Sequence, residues 1–190
     1  MKVESAEFVR GIRGTDPVAY GGVPQIAFIG RSNVGKSSLI ASLVQNKGLV
    51  KVSAVPGKTR EINFFLINKK FYLVDLPGYG YAKVTNEEKD KLKKLIVWYF
   101  TDSAIRPQVV VLIVDIKVGI TLFDEQMIGI LKELRHPFMI VANKMDKLTQ
   151  KELSAQLKKI RAAAGDVEVV PVSAVKKNGT RGLLPKILAQ

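Results

Sequence analysis

The chain has 190 residues, 47% of them hydrophobic, with a formal net charge of +13, no cysteine and one histidine; this size and apolar share suit a single domain over residues 1–190 with a full core. Disulfides, thiolate metal sites and cysteine nucleophiles are excluded, and His136, lying before Pro137, reads as a loop residue entering a strand rather than part of a metal site. The positive excess asks for a polyanionic partner, which RNA or an RNA–protein particle fits better than an anionic membrane surface or solubility alone.

Residues 1–14 mix Lys2, Glu4, Glu7, Arg10 and Arg13 with isolated apolar positions, so no export signal is expected, and residues 1–22 read as an N-terminal extension. No stretch reaches the ~18 apolar residues of a membrane span, so a cytoplasmic protein is expected. Apolar β-type runs then recur at residues 25–29, 62–67, 71–75, 109–115, 138–143 and 167–172, with helical patterns between most of them. That alternation predicts an α/β fold, a six-stranded, mostly parallel sheet with helices on both faces. The short link Asn68-Lys69-Lys70 predicts a hairpin and hence one antiparallel edge strand. The unbroken Val and Leu/Ile run at 109–113 is the pattern of a strand buried on both faces.

Residues 45–61 contain Gly, Pro and Lys with weak periodicity and read as a mobile loop. Thr85 with Glu88, and Thr149 with Glu152, match capping boxes that open helices. After the first, Leu92, Leu95, Ile96 and Tyr99 fall on one apolar stripe, whereas Lys89, Lys91, Lys93 and Lys94 crowd the remaining faces and form the densest basic surface in the sequence. The helix after Arg181 is expected to be short.

Chemistry enters at residues 30–37, G-R-S-N-V-G-K-S, a complete G-x-x-x-x-G-K-S phosphate-binding loop between the first apolar run and the helix-like residues 38–44. Backbone N–H groups of such a loop form an anion-binding concavity, reinforced by the following helix N-terminus. Lys36 reaches the outer phosphates and Ser37 offers a hydroxyl to Mg²⁺, so Gly30, Arg31, Ser32, Asn33, Val34, Gly35, Lys36, Ser37 and Ser38 are candidate nucleotide contacts.

The loop alone leaves kinases, ATPases and GTPases open. Asn143-Lys144-Met145-Asp146 follows a strand at the carboxyl edge of the sheet, where open α/β folds bind ligands. Guanine presents two adjacent N–H donors that one carboxylate accepts together, and adenine lacks that pair. Asp146 is therefore expected to read guanine, Asn143 to brace the loop and the base edge, and the Lys144 stem to cover one ring face. Ser173-Ala174, after the last strand, places small residues where a backbone N–H can approach the guanine oxygen. Asp75-Leu76-Pro77-Gly78 matches D-x-x-G: Asp75 would hold Mg²⁺ through water and the Gly78 N–H would bond the γ-phosphate. Thr59 is the candidate for a second hydroxyl on Mg²⁺, within Pro56-Gly57-Lys58-Thr59-Arg60.

Four stretches together resemble the EngB family of ribosome-assembly GTPases, TRAFAC-class members of the Era/TrmE-like superfamily: residues 30–39, 56–60, 62–65 and 75–84, the last reading D-L-P-G-Y-G-Y-A-K-V. The resemblance implies a Ras-like G domain, a first switch at 45–61 and a second at 76–86. It also implies GTP binding with Mg²⁺, slow hydrolysis, association with the large ribosomal subunit during assembly, and a requirement in cell division and septation. Ser37 and Thr59 become direct Mg²⁺ ligands, and Gly57 and Lys58 join the nucleotide contacts. A monomer that binds no membrane is expected. The first residue of the guanine tetrad, Asn143, departs toward the commoner GTPase form from the Thr of many relatives.

In Ras-like proteins a glutamine after D-x-x-G orients the attacking water; here Tyr79 stands there, so intrinsic hydrolysis is expected to be slow. Asn33 is a candidate for binding K⁺ beside the phosphates, as in related GTPases, while Arg31, Lys58 and Arg60 are equally plausible as RNA contacts and as cations near the site. Three functions follow: a GTP-driven switch on a pre-ribosomal particle with a basic Lys89 to Lys94 surface, a nucleotide-stabilised cell-division interaction module, and a small-molecule kinase. The tetrad speaks against the last.

Overall fold

The computed structural model describes residues 3–44, 60–80 and 85–190. Alternation along the inner strands produces two apolar faces on one sheet. The strands are β1 (Ala6–Ile12), β2 (Gln25–Gly30), β3 (Ile62–Ile67), β4 (Phe71–Asp75), β5 (Val109–Asp115), β6 (Phe138–Asn143) and β7 (Val169–Pro171). Their order across the sheet is β1-β3-β4-β2-β5-β6-β7. In β5, Val110, Leu112 and Val114 enter one core while Val109, Val111 and Ile113 enter the other, and all are fully buried.

Helices α1 (Lys36–Val44), α2 (Asn86–Thr101), α3 (Leu122–Glu133), α4 (Gln150–Ala164) and α5 (Leu183–Leu188) cover both faces. Leu95, Ile96, Tyr99 and Phe100 of α2 pack with α3 and α4 residues on one side. Leu39, Ile40 and Leu43 of α1 pack with Leu183, Leu184 and Ile187 of α5 on the other. The stripe Leu92, Leu95, Ile96 and Tyr99 is buried as its spacing predicts, and both expected capping boxes form at Thr85 and Thr149. Helix α1 begins at Lys36, two residues earlier than the apolar pattern indicates, so the end of the phosphate loop is already its first turn.

The sheet has seven strands rather than six, because part of the presumed N-terminal extension is an edge strand. β1 pairs antiparallel with β3, and β3 antiparallel with β4, while β2 and β4 to β7 run parallel. The register shifts between Phe8 and Arg10, so that two residues of β1 oppose one of β3. This bulge reverses the inward parity of the strand. Phe8 lies against Phe65 with ring centroids 5.5 Å apart on one face, whereas Ile12, of the same parity, is buried in the core of the other. No single alternation therefore runs through the segment. The hairpin between β3 and β4 turns through Asn68 and Lys69, both with positive φ near 50°, the left-handed pair that matches strand twist. Asn68 Oδ1 accepts from Glu4 N at 2.8 Å and Ser5 N at 3.0 Å, tying the N-terminal strand to that turn.

His136 lies in the loop that enters β6, as its place before Pro137 indicates, but it is buried there. It is 5% exposed, with Nε2 2.8 Å from the Phe100 carbonyl, which fixes Nε2 as the protonated nitrogen and ties the end of α2 to the entry of β6. The final strand is shorter than the sequence pattern, Val169–Pro171 instead of residues 167–172.

Candidate functional site

Gly30, Asp75, Asp115 and Asn143 end β2, β4, β5 and β6, so their groups collect at the carboxyl edge of the parallel strands, where open α/β sheets bind ligands. The phosphate-type loop lies over this edge. Its buried Val34 anchors it in the core below, and Asn33 and Gly35 both take positive φ, +67° and +94°. A Cβ on Gly35 would stand 2.4 Å from Asn143 Nδ2, so any side chain there would push apart the loop and β6. The first N–H groups of α1 have no carbonyl acceptor within their own helix, which leaves them for an anion.

At the opposite side, Asn143 is a two-way brace. Its Nδ2 donates to the Val34 carbonyl at 2.8 Å and its Oδ1 accepts from Ala174 N at 3.0 Å, so one buried amide joins the phosphate loop to the loop after β7. Lys144, in the left-handed conformation at φ 70°, donates from Nζ to the Asn33 carbonyl and to Asp115 Oδ2, each at 2.7 Å. The Ser173 hydroxyl donates to Asp146 and accepts from Lys176 N at 3.0 Å. These bonds hold an exposed carboxylate, a lysine stem and a buried Ser-Ala backbone in fixed relation, with the Ser173 N–H given to the Asn178 carbonyl at 2.9 Å and the Ala174 N–H to Asn143.

Near the other end, Lys36 and Asp75 form a buried ion pair, 8% and 1% exposed. Among the described residues, nothing hydrogen-bonds to the buried Asp75 Oδ2. An orphaned carboxylate oxygen is costly unless a cation or a polarised water satisfies it, and with the Ser37 hydroxyl on the first turn of α1 the donor set is hard oxygen, which suits Mg²⁺. Gly57, Lys58 and Thr59 lie outside the described residues, as do residues 45–56 and 81–84 of the two expected switch segments.

Residues 75–80 are stitched to the phosphate loop. Ser32 N donates to the Tyr79 carbonyl at 2.8 Å and Tyr79 N to the Gly30 carbonyl at 3.3 Å. A Cβ on Gly78 would meet Ser32 N at 3.1 Å, a contact tight enough that the phosphate loop would have to shift slightly to admit a side chain; Leu76 and Pro77 beside it are buried. The Tyr79 side chain is directed elsewhere. Its hydroxyl donates to Asp124 Oδ1 at 2.6 Å, and Asp124 Oδ2 accepts from Thr121 N at 2.9 Å and Thr121 Oγ1 at 2.6 Å. Burial and then the Asp124 charge push the phenol far above its ordinary range, opposed in part by the Arg31 guanidinium. Arg31 Nε is itself buried, with no hydrogen-bond partner among the described residues.

Two carboxylates in this network have no sequence motif. Asp115 orients Lys144 and Asp124 anchors Tyr79; the available signals were that Asp115, like Asp75, ends an apolar strand, and that Asp124 stands three residues after Thr121 at a helix start. Arg60 is paired with Glu88 at 2.7 Å, and Lys89, Lys91, Lys93 and Lys94 are all exposed on α2.

Comparison with known proteins agrees with this geometry. Residues 25–144 match the family model described as 50S ribosome-binding GTPase, and residues 100–190 match the elongation factor Tu GTP binding domain. A probable GTP-binding protein EngB of Aquifex aeolicus is 44% identical over 165 residues, 87% of this chain and 90% of its own length. Its counterpart in Clostridioides difficile is 39% identical over 194 residues, covering 100% of this chain and 95% of that one. Among solved structures, a probable GTP-binding protein engB superposes with a TM-score of 0.73 at 28% identity, covering 87% of this chain and 97% of that chain. Era in complex with MgGDPNP and nucleotides 1506–1542 of 16S ribosomal RNA gives 0.69 at 25% identity, covering 88% and 56%. No helix of the described residues is long and apolar enough to cross a membrane. With the Ras-like sheet, the phosphate-type loop and these relatives in agreement, the chain belongs to the EngB family of GTPases.

Proposed function

We propose that this GTPase is a cytoplasmic switch in assembly of the large ribosomal subunit, on which normal cell division and septation depend. Phosphates would lie on residues 30–38, and guanine between Asn143, Lys144, Asp146 and the Ser173-Ala174 backbone. Ser37 and Thr59 would hold Mg²⁺ directly and Asp75 through water, with Gly57 and Lys58 alongside and the Gly78 N–H on the γ-phosphate. The metal neutralises charge that builds on the phosphate oxygens. Lys36 balances Asp75 and supplies charge at the outer phosphates, and residues 75–80 carry the state of the γ-phosphate to the surface.

The observation that carries the reading is that Asn143 bonds both the phosphate loop and Ala174, so the base-reading and phosphate-binding halves are one rigid unit. Slow turnover follows because the phenol at the water-positioning place is already committed to Asp124. Asn33, exposed in the loop with its carbonyl held by Lys144, is proposed to help bind K⁺; equal turnover in K⁺ and Na⁺ would remove that role. Similarity to a family described as ribosome-binding and the exposed lysines of α2 support the ribosomal partner.

The test is depletion of the protein in its host followed by gradient analysis of ribosomal particles. Accumulation of incomplete large subunits before any defect in septation is expected. Failed septation with a normal particle profile would instead favour a nucleotide-stabilised division module.

A further inference from the structure

Between the loop after β1, the start of β3 and one side of α2 lies a groove of about 530 Å³, within the roughly 300–1,000 Å³ of ligand-sized clefts. Its floor is apolar. Leu92 and Leu95 are buried beneath it, and half-buried Trp98 packs partly on the core and partly lines the groove. Its rim is basic: among the described residues Arg13, Arg60, Lys91 and Lys94 stand against one lining carboxylate, Glu88.

Three of those cations have carboxylate partners near the surface, Arg13 with Glu61 at 3.0 Å, Arg60 with half-buried Glu88 at 2.7 Å and Lys91 with exposed Glu87 at 2.7 Å. Pairs of this kind contribute only ~0–1 kcal/mol, so phosphate oxygens can displace them at little cost. Among the described residues Lys94 has no acidic partner. Helical geometry also divides the lysine run. Glu88, Lys91, Leu92, Leu95 and Trp98 share one face at i, i+3, i+4, i+7 and i+10, whereas Lys89 and Lys93 lie outside the groove.

We propose that this groove binds a segment of single-stranded RNA, its bases against Trp98 and the leucine floor and its phosphates on Arg13, Arg60, Lys91 and Lys94. The proposal rests on the ribosomal reading above and names the part of the RNA that the chain takes. A basic rim over an aromatic floor is the combination that single strands use. A duplex hides its base faces and offers phosphate and minor groove instead, and an acidic peptide has no use for the ring surface.

Trp98 is the single tryptophan of the chain, so its emission reports on the groove without labelling. Titration of the full chain with an octauridylate should quench that emission saturably. The affinity should fall with salt at a slope of about −2 to −3 in log units, as expected for three to four phosphate contacts on a single strand. A G·C-rich RNA hairpin with a fully paired stem, UMP alone and polyglutamate should each bind at least about tenfold more weakly. The double variant Arg13→Glu/Lys94→Glu should lose about tenfold or more in affinity for the oligonucleotide, while Lys89→Glu/Lys93→Glu should lose less. Trp98→Phe, followed by anisotropy of a labelled oligonucleotide, should retain most binding, because a ring remains to stack on. Quenching that is absent, or equal for the hairpin or polyglutamate, overturns the proposal. If large-subunit co-sedimentation survives the groove variant and is lost only in Lys89→Glu/Lys93→Glu, the groove is wrong and the ribosomal reading stands. If neither oligonucleotide nor subunit binds, both fall.

Discussion

Tyr79→Phe separates anchoring of residues 75–80 from water activation by deleting one oxygen. The hydroxyl donates at 2.6 Å to Asp124, a carboxylate only 1% exposed, and a hydrogen bond to a charged acceptor contributes about 1.5–3 kcal/mol. Asp124 would keep both Thr121 donors, so no bare charge is left and the cost should stay near ~2 kcal/mol. For a chain of this size that lowers Tm by roughly 4–8 °C, measurable by differential scanning calorimetry on the nucleotide-free protein. Single-turnover GTP hydrolysis should stay within about threefold of wild type, because one missing catalytic proton donor would cost far more, typically ~100-fold or above. A rate loss of that size with an unchanged Tm would refute the anchoring role and place the phenol on the attacking water.

Asp146→Asn replaces an acceptor oxygen with a donor at the guanine edge. GDP affinity measured by calorimetry should fall about 100-fold or more and xanthosine diphosphate affinity should rise, since two charge-assisted bonds to guanine are lost; unchanged GDP affinity would mean that another group reads the base. On the alkaline side, burial raises Tyr99, and burial with Asp124 raises Tyr79, well above their ordinary value of 10.0. Below that value both states are protonated and nothing changes. Above it the unfolded chain alone loses the protons, so stability should drop by about 1.4 kcal/mol per pH unit for each tyrosine. Chemical denaturation at pH 9, 10 and 11 checks this, and a flat profile from 10 to 11 would contradict the burial of these phenols.

The segments proposed for the nucleotide could be placed from the sequence because each is contiguous and each residue type is demanded by local chemistry. The loop at residues 30–37, Asp75 with Gly78, and Asn143 to Asp146 could be placed on strand ends from the β-type runs before them, and the structure brings them to one sheet edge. Contacts between distant segments were not legible. Asp124 is 45 residues from Tyr79, and Lys144 is 29 from Asp115, so no spacing rule links them. β1 was missed because its bulge sends Phe8 and Ile12 into opposite cores, which erases the period that identifies a strand. His136 is the loop residue that its place beside a proline indicates, but its burial and its bond to the Phe100 carbonyl, 36 residues away, were not legible. The lysine run on α2 was visible, but its division into a groove-lining side and an outer side needed Arg13 and Arg60, which reach the same cleft from the ends of two other segments.

The central claim is that the guanine nucleotide sets the affinity for a ribosomal particle. Its most direct test is co-sedimentation of the purified chain with large ribosomal subunits and their precursors, in a non-hydrolysable GTP analogue, in GDP and without nucleotide. The GTP analogue should give at least about tenfold tighter association than GDP, a differential of ~1.4 kcal/mol between the two states. Equal association in GTP analogue and GDP would contradict a switch, however tightly either nucleotide binds.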